Sequence, residues 1–110
     1  MSYSMPGIDL NPHDLEEVKR ILRAIAPEYD VWAFGSRVDG TAKAYSDLDL
    51  AVIAERPLPL SLKADLKEAF DESGLAIRVD IIDWASVREN FRAIIERKKV
   101  MVQEGGQISE

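Results

Sequence analysis

The sequence predicts one α/β domain, a small sheet with helices packed on it. Three observations carry that prediction. Apolar residues recur at helical spacing in 15–25, 62–70 and 87–95. Apolar runs at 31–34, 48–54 and 76–84 lie between them and read as strands. The resulting order is helix, strand, loop with a helical turn, strand, helix, strand, helix, without an internal repeat, a linker or a second domain.

Asn11-Pro12-His13-Asp14 reads as a helix start, with Asn at the cap, Pro in the first turn and an acid behind it. Leu15, Val18, Ile21, Leu22 and Ile25 form one face, Glu16, Glu17, Lys19, Arg20 and Arg23 the other, and Pro27 ends the helix. Val31 to Phe34 is a buried strand, followed by a loop from Gly35 to Ser46 with one helical turn after Ser36. Leu48 to Ala54 carries few polar side chains beyond its aspartates, which predicts a central strand. After Pro57 and Pro59, Ser61 is expected to cap a helix that buries Leu62, Leu66, Ala69 and Phe70 and ends near Gly74 as its C′ glycine. In the third strand, Ala76 to Trp84, alternation puts Ile77, Val79 and Ile81 on one face and Arg78, Asp80 and Ile82 on the other. Ser86 and Glu89 suggest a capping box for the last helix, with Val87, Phe91, Ile94 and Ile95 inward. Residues 100–103 either continue that helix or add an edge strand. The expected organisation is a flexible arm over 1–10, the domain over 11–103 and a tail over 104–110.

The 110 residues carry a net charge of −6 and no cysteine, which leaves neither disulfides nor thiolate metal sites. The N-terminus lacks a basic segment followed by an apolar one, and no apolar run nears the roughly 20 residues that span a bilayer. The expectation is a soluble, cytoplasmic protein with no membrane partner. The acidic balance argues against nucleic acid as the main partner and favours a basic partner protein. Arg88, Arg92, Arg97, Lys98 and Lys99 are a local basic exception.

The chemistry-bearing stretch is Gly35-Ser36-Arg37 followed by Ser46-Asp47-Leu48-Asp49-Leu50. In a strand, Asp47 and Asp49 share a face opposite Leu48 and Leu50. Two adjacent carboxylates repel, and a hard divalent cation such as Mg²⁺, which also takes phosphate oxygens, relieves this. The Gly35-Ser36 turn offers backbone N–H groups and a hydroxyl to a phosphate. Asp80 sits between Val79 and Ile81, where a carboxylate is costly unless paired or metal-bound. If its strand lies beside the second, Asp47, Asp49 and Asp80 form a triad able to hold two Mg²⁺ about 4 Å apart for displacement at phosphorus. The plainer readings are an Asp-rich surface turn for Asp47 and Asp49, and a solvent-facing edge residue for Asp80. Asp83, three residues on, faces away from Asp80 and more simply ends the strand or caps the segment after it. Arg37 suits either a phosphate or a surface ion pair. Lys43 and His13 read as solvated, and Trp32, Phe34, Trp84 and Phe91 as core, with Trp84 alternatively in a partner patch. Tyr29 and Tyr45 lie near enough to the motif to stack on a base.

Taken together, Gly35, Ser36, Arg37, Gly40, Ser46, Asp47, Asp49 and Asp80 resemble the signature of the minimal nucleotidyltransferase family of the DNA-polymerase-β-like superfamily, over about Asn11 to Lys99. The resemblance implies a nucleotidyltransferase (polymerase-β-like) fold with a small mixed sheet. It also implies ATP as substrate with two Mg²⁺. Gly35, Ser36, Arg37 and Ser46 are then the nucleotide-binding residues, and Asp47, Asp49 and Asp80 both metal-binding and catalytic. Stand-alone chains of this size resemble MntA-type antitoxins, which transfer AMP to a tyrosine of a partner HEPN-domain toxin. One departure is Asp39, where many relatives carry a second basic residue; Lys43 is the alternative source of that charge. With no sequence left to build an acceptor domain, the acceptor is expected to dock from outside. The alternatives are an antitoxin that acts by contact alone and an aminoglycoside-type small-molecule enzyme with its acceptor pocket in a homo-oligomer.

Overall fold

The computed structural model describes residues 7–106. Helix α1 spans Pro12–Ile25; Asn11 caps it by accepting a 2.8 Å hydrogen bond from the Asp14 N–H. Strand β1 is Asp30–Phe34, and a one-turn helix α2, Ser36–Asp39, follows Gly35 directly. Strand β2 is Leu48–Ile53, helix α3 is Leu60–Asp71 and strand β3 is Val79–Asp83. A 3-10 turn over Trp84–Ser86 leads to helix α4, Glu89–Arg97, and to strand β4, Val100–Gln103.

The four strands form one mixed sheet in the order β3-β2-β1-β4. β1 runs antiparallel to β2 and β4, whereas β2 and β3 are parallel and joined through α3. The inner position of β2 agrees with its apolar sequence. Alternation divides each strand between two cores. Leu48, Leu50 and Val52 enter the main core with Val31, Ala33 and the inward residues of α1 and α3. Ala51, Phe34 and Ile95 centre a smaller cluster on the opposite face, joined by Trp32, Ile53, Ile82 and Trp84.

Several expectations are corrected. Ile8 and Leu10 are buried in the main core and the Asp9 N–H donates to the Arg37 carbonyl at 2.7 Å, so 7–10 is a packed segment rather than a loose arm; residues 1–6 lie outside the described residues. The start of the tail is also tied down. The Gly105 N–H donates to Asp30 Oδ1 at 2.7 Å, and a Cβ on Gly105 would collide with the backbone of Glu28 and Tyr29; residues 107–110 lie outside the described residues. Ser61 is inside α3, whose cap is Pro59, and α3 stops before Gly74, which has no positive φ. The capping box does not form, because Arg88 takes the cap position and the Ser86 hydroxyl turns back to Asp83. On α4 only Ile95 is buried; Phe91 and Ile94 are exposed. Residues 100–103 form the edge strand rather than more helix, and no helix among the described residues is long and apolar enough to cross a membrane.

Candidate active site

The site forms where the smaller cluster ends and polar side chains begin on the same sheet face. The parallel register sets Asp49 directly opposite Asp80, and the antiparallel register sets Asp49 opposite Phe34. Asp47 lies two residues before Asp49, just ahead of β2. Period-two alternation therefore aims Asp49 and Asp80 to the side of Ala51 and Ile82, away from the main core. The β2–β3 pairing that a triad needs is present, but β3 is an edge strand and Asp80 is exposed, so the burial cost expected of a carboxylate between Val79 and Ile81 does not arise.

Gly35 joins the turn to these carboxylates. Its φ of 82° lies where side chains are strained, and a Cβ there would overlap the Asp49 carboxylate. Glycine is needed twice over, for the turn and for the close approach. Val38 N–H and Asp39 N–H bond back to the Gly35 carbonyl at 2.9 Å each, and Gly40, in the left-handed conformation, closes the short helix. Ser36 thus opens α2 beside Asp49.

Asp49 has its carboxyl raised to about 6, first by burial and then by the charges of Asp80 and Asp47. Among the described residues it accepts no hydrogen bond and has no cation partner. Asp47 meets Arg78 at 3.5 Å. An all-oxygen cluster with an unrelieved, half-buried carboxylate fits a hard divalent cation. As they stand, no three His, Cys, Asp or Glu side chains among the described residues close on one point. Two open hollows flank Arg78 along the β3 edge. One, of about 570 Å³, is bounded by Tyr45, Asp47 and Phe70. The other, of about 390 Å³, is bounded by Lys63, Lys67 and Asp80.

The remaining expected residues divide. Arg37, expected among the phosphate ligands, is buried and otherwise engaged. Its guanidinium donates to the carbonyls of Ser46 (3.0 Å), Asp9 (2.8 Å), Lys43 (3.2 Å) and Ala44 (3.1 Å). Five donors in a planar fork satisfy carbonyls that converge from two segments, so Arg37 clamps the loop that delivers Asp47. Ser46, also expected at the nucleotide, accepts the Lys43 N–H at 2.8 Å and fixes the same loop. Asp39 receives the Thr41 N–H at 3.0 Å and the Thr41 hydroxyl at 2.6 Å, a turn cap. Asp83 is buried, accepting from the N–H groups of Leu58 (2.9 Å) and Ala85 (3.3 Å), and caps the 3-10 turn as expected. Tyr29 packs in the main core, whereas Tyr45 is 89% exposed at the edge of the first hollow. Arg78, Lys63 and Lys67, none of them expected at the site, line the second hollow; Arg78 is two residues before Asp80, and Lys63 and Lys67 are four apart on α3.

Residues 15–108 match the family model of the nucleotidyltransferase domain. The chain is 52% identical over 101 residues to the probable protein adenylyltransferase MntA of Haemophilus influenzae, an overlap of 92% of this chain and 89% of the relative. It is 34% identical over 95 residues to the protein adenylyltransferase MntA of Thermococcus cleftensis, covering 80% and 95%. A crystal structure of a toxin–antitoxin with AMP-PNP aligns with a TM-score of 0.68 at 25% identity, over 86% of this chain and 75% of that one. The motif spacing, the sheet register and these relatives agree, and the chain belongs to the nucleotidyltransferase domain family, among its MntA-type members.

Proposed function

We propose that this protein is an Mg²⁺-dependent protein adenylyltransferase that moves AMP from ATP to a hydroxyl, a tyrosine, of a partner HEPN toxin, and that it acts as the antitoxin of that pair in the cytoplasm. The observation that carries the reading is the apposition of Asp49 with Asp80 across β2 and β3, with Gly35 packed on the Asp49 carboxylate. In this reading the Gly35–Ser36 turn binds phosphate and the carboxylates bind the cation, and the approach of Gly35 to Asp49 supports their acting as one site. The names of the MntA relatives support AMP transfer to protein, and the toxin–antitoxin structure with AMP-PNP supports the partner and the nucleotide.

In this reading the backbone N–H groups after Gly35 and the Ser36 hydroxyl hold the terminal phosphates. Asp47 and Asp49 would hold both Mg²⁺ and Asp80 one of them, a pair that would supply charge neutralisation for the triphosphate and acidification of the acceptor hydroxyl. Asp80, the most solvent-open of the three, would take the acceptor proton in this reading. The acceptor oxygen forms a bond to the α-phosphorus, the bond from that phosphorus to the bridging oxygen breaks, and pyrophosphate leaves. Lys63 lines the neighbouring hollow, where Lys67 is already paired with Asp71 at 3.1 Å.

The test is transfer from labelled ATP to the HEPN-type product of the adjacent gene. Label is expected on a tyrosine of that protein, with Mg²⁺ required and Asp47→Asn inactive. A folded pair that yields no label, or label undiminished by chelation, overturns the proposal.

A further inference from the structure

The sheet face that carries the carboxylates is covered by α4 and by the 3-10 turn that carries Trp84, and α4 leaves apolar surface uncovered. Phe91 and Ile94, three residues apart and so on one side of the helix, are 40% and 57% exposed. Met101, opposite Trp32 on the edge strand, is exposed on the same face. The Phe91 ring meets Phe34 edge-on at 6.0 Å between centroids, and Phe34 is the β1 partner of Asp49. The exposed side of α4 therefore continues into the residues beside the site. Its surround is basic: residues 88–99 hold five basic and two acidic side chains in a chain of net charge −6. Arg92 is folded over Trp84 and Lys99 over Trp32. Arg88, Arg97 and Lys98 are exposed and form no ion pair among the described residues.

We infer that the Phe91–Ile94 side of α4 is the docking surface for the acceptor protein, and that the acceptor presents to it an apolar anchor flanked by acidic side chains. The proposal rests on the adenylyltransferase reading for the identity of the occupant. The acceptor hydroxyl has to arrive on the carboxylate side of the sheet, because α1 and α3 close the other side. A protein seated on α4 is already on the correct side and beside the site. An aromatic and an aliphatic anchor inside a rim of cations match a protein surface of opposite charge, the arrangement that steers association and fixes register. Phosphates would use the cations but not Ile94.

The experiment uses the full chain with the HEPN-type protein of the adjacent gene, measuring co-elution and AMP labelling side by side. Ile94→Glu is expected to abolish co-elution and to raise the half-saturating acceptor concentration about tenfold or more. The maximal labelling rate, the melting temperature and the thermal shift given by ATP with Mg²⁺ are expected to stay at wild-type values. Arg88→Glu with Arg97→Glu slows association, as added salt does for the wild type. The inference is overturned if Ile94→Glu and Phe91→Ser co-elute and label as wild type, or if the wild type neither co-elutes nor labels. A thermal shift by ATP lost in Phe91→Ser with co-elution kept overturns it in favour of a nucleobase platform. Ile94→Glu that only turns a dimer of this chain into a monomer overturns it in favour of a second copy. Single-stranded RNA bound by the wild type and released by Arg88→Glu overturns it in favour of nucleic acid. Co-elution that Ile94→Glu abolishes, without label in any arm, sinks the enzymatic reading and upholds the docking surface.

Discussion

The two faces of the sheet are built from the same strands and do opposite work. The face under α1 and α3 is sealed: Val18, Leu22, Val31, Leu50, Val52 and Leu66 have essentially no exposure. The face under α4 has a small aromatic cluster, then three carboxylates, then exposed Phe91 and Ile94. Asp49 and Leu50 are neighbours in sequence and belong to different faces. Stability is concentrated on one side of the sheet, and this leaves the other free to carry unfavourable charge and apolar surface for ligands.

The largest contrast is between those two neighbours. Leu50→Ala opens a cavity in the sealed face and is expected to cost about 2–5 kcal/mol, with the melting temperature falling by roughly 10 °C or more. Asp49→Asn is expected to leave melting no lower while AMP labelling falls by about a hundredfold or more. Equal loss of stability in both variants, read by thermal unfolding, would break the comparison. Next comes Gly35→Ala. Its positive φ and the overlap with Asp49 predict a loss of about 1–2 kcal/mol and a much larger loss of labelling, measured on the same preparations.

Arg37→Lys tests the loop clamp. A lysine cannot span four carbonyls, so about 1–3 kcal/mol of stability is expected to go, with a raised KM for ATP because Asp47 and the Ser36 turn lose their fixed spacing. A direct phosphate ligand would instead weaken ATP binding with little change in melting.

The smallest effect is in pH. Asp49 has a folded pKa raised from 3.8 to about 6, so between those values the folded state binds more protons than the unfolded one. Stability without Mg²⁺ therefore falls as pH rises through that window and levels off above it. Asp49→Asn removes this contribution and should be more stable than wild type at neutral pH, by about 1 kcal/mol once solvent screening at a half-exposed site is allowed for. The two should converge near pH 4, and Mg²⁺ should narrow the gap at neutral pH by stabilising the wild type.

What could be read in the residues divides along the same line. The period of two put Asp47 and Asp49 on one side of their strand and Asp80 with Arg78 and Ile82 on one side of another. Helical spacing found the buried stripe of α1. Failures came where an apolar or polar pattern has more than one use. Phe91 and Ile94 repeat at helical spacing whether or not anything covers them. Ser86 and Glu89 have capping-box spacing, yet Asp83 takes the serine hydroxyl. Ile8 and Leu10 stand in a stretch without period, so their burial left no signal. Arg37 follows the glycine-serine turn in either role, and only convergence of Asp9, Lys43, Ala44 and Ser46 around it distinguishes clamp from ligand.

The sequence by itself determined the element order as far as the last helix, the spacing of the motif and the residue types able to hold phosphate and cation, because these follow from local periodicity and side-chain chemistry. Tertiary structure alone decided that Asp80 pairs with Asp49, that Arg37 points inward and that one side of α4 stays open. Each of those depends on strand register or on which segments cover a face, and such contacts join residues far apart in the chain. Local pattern does not encode them.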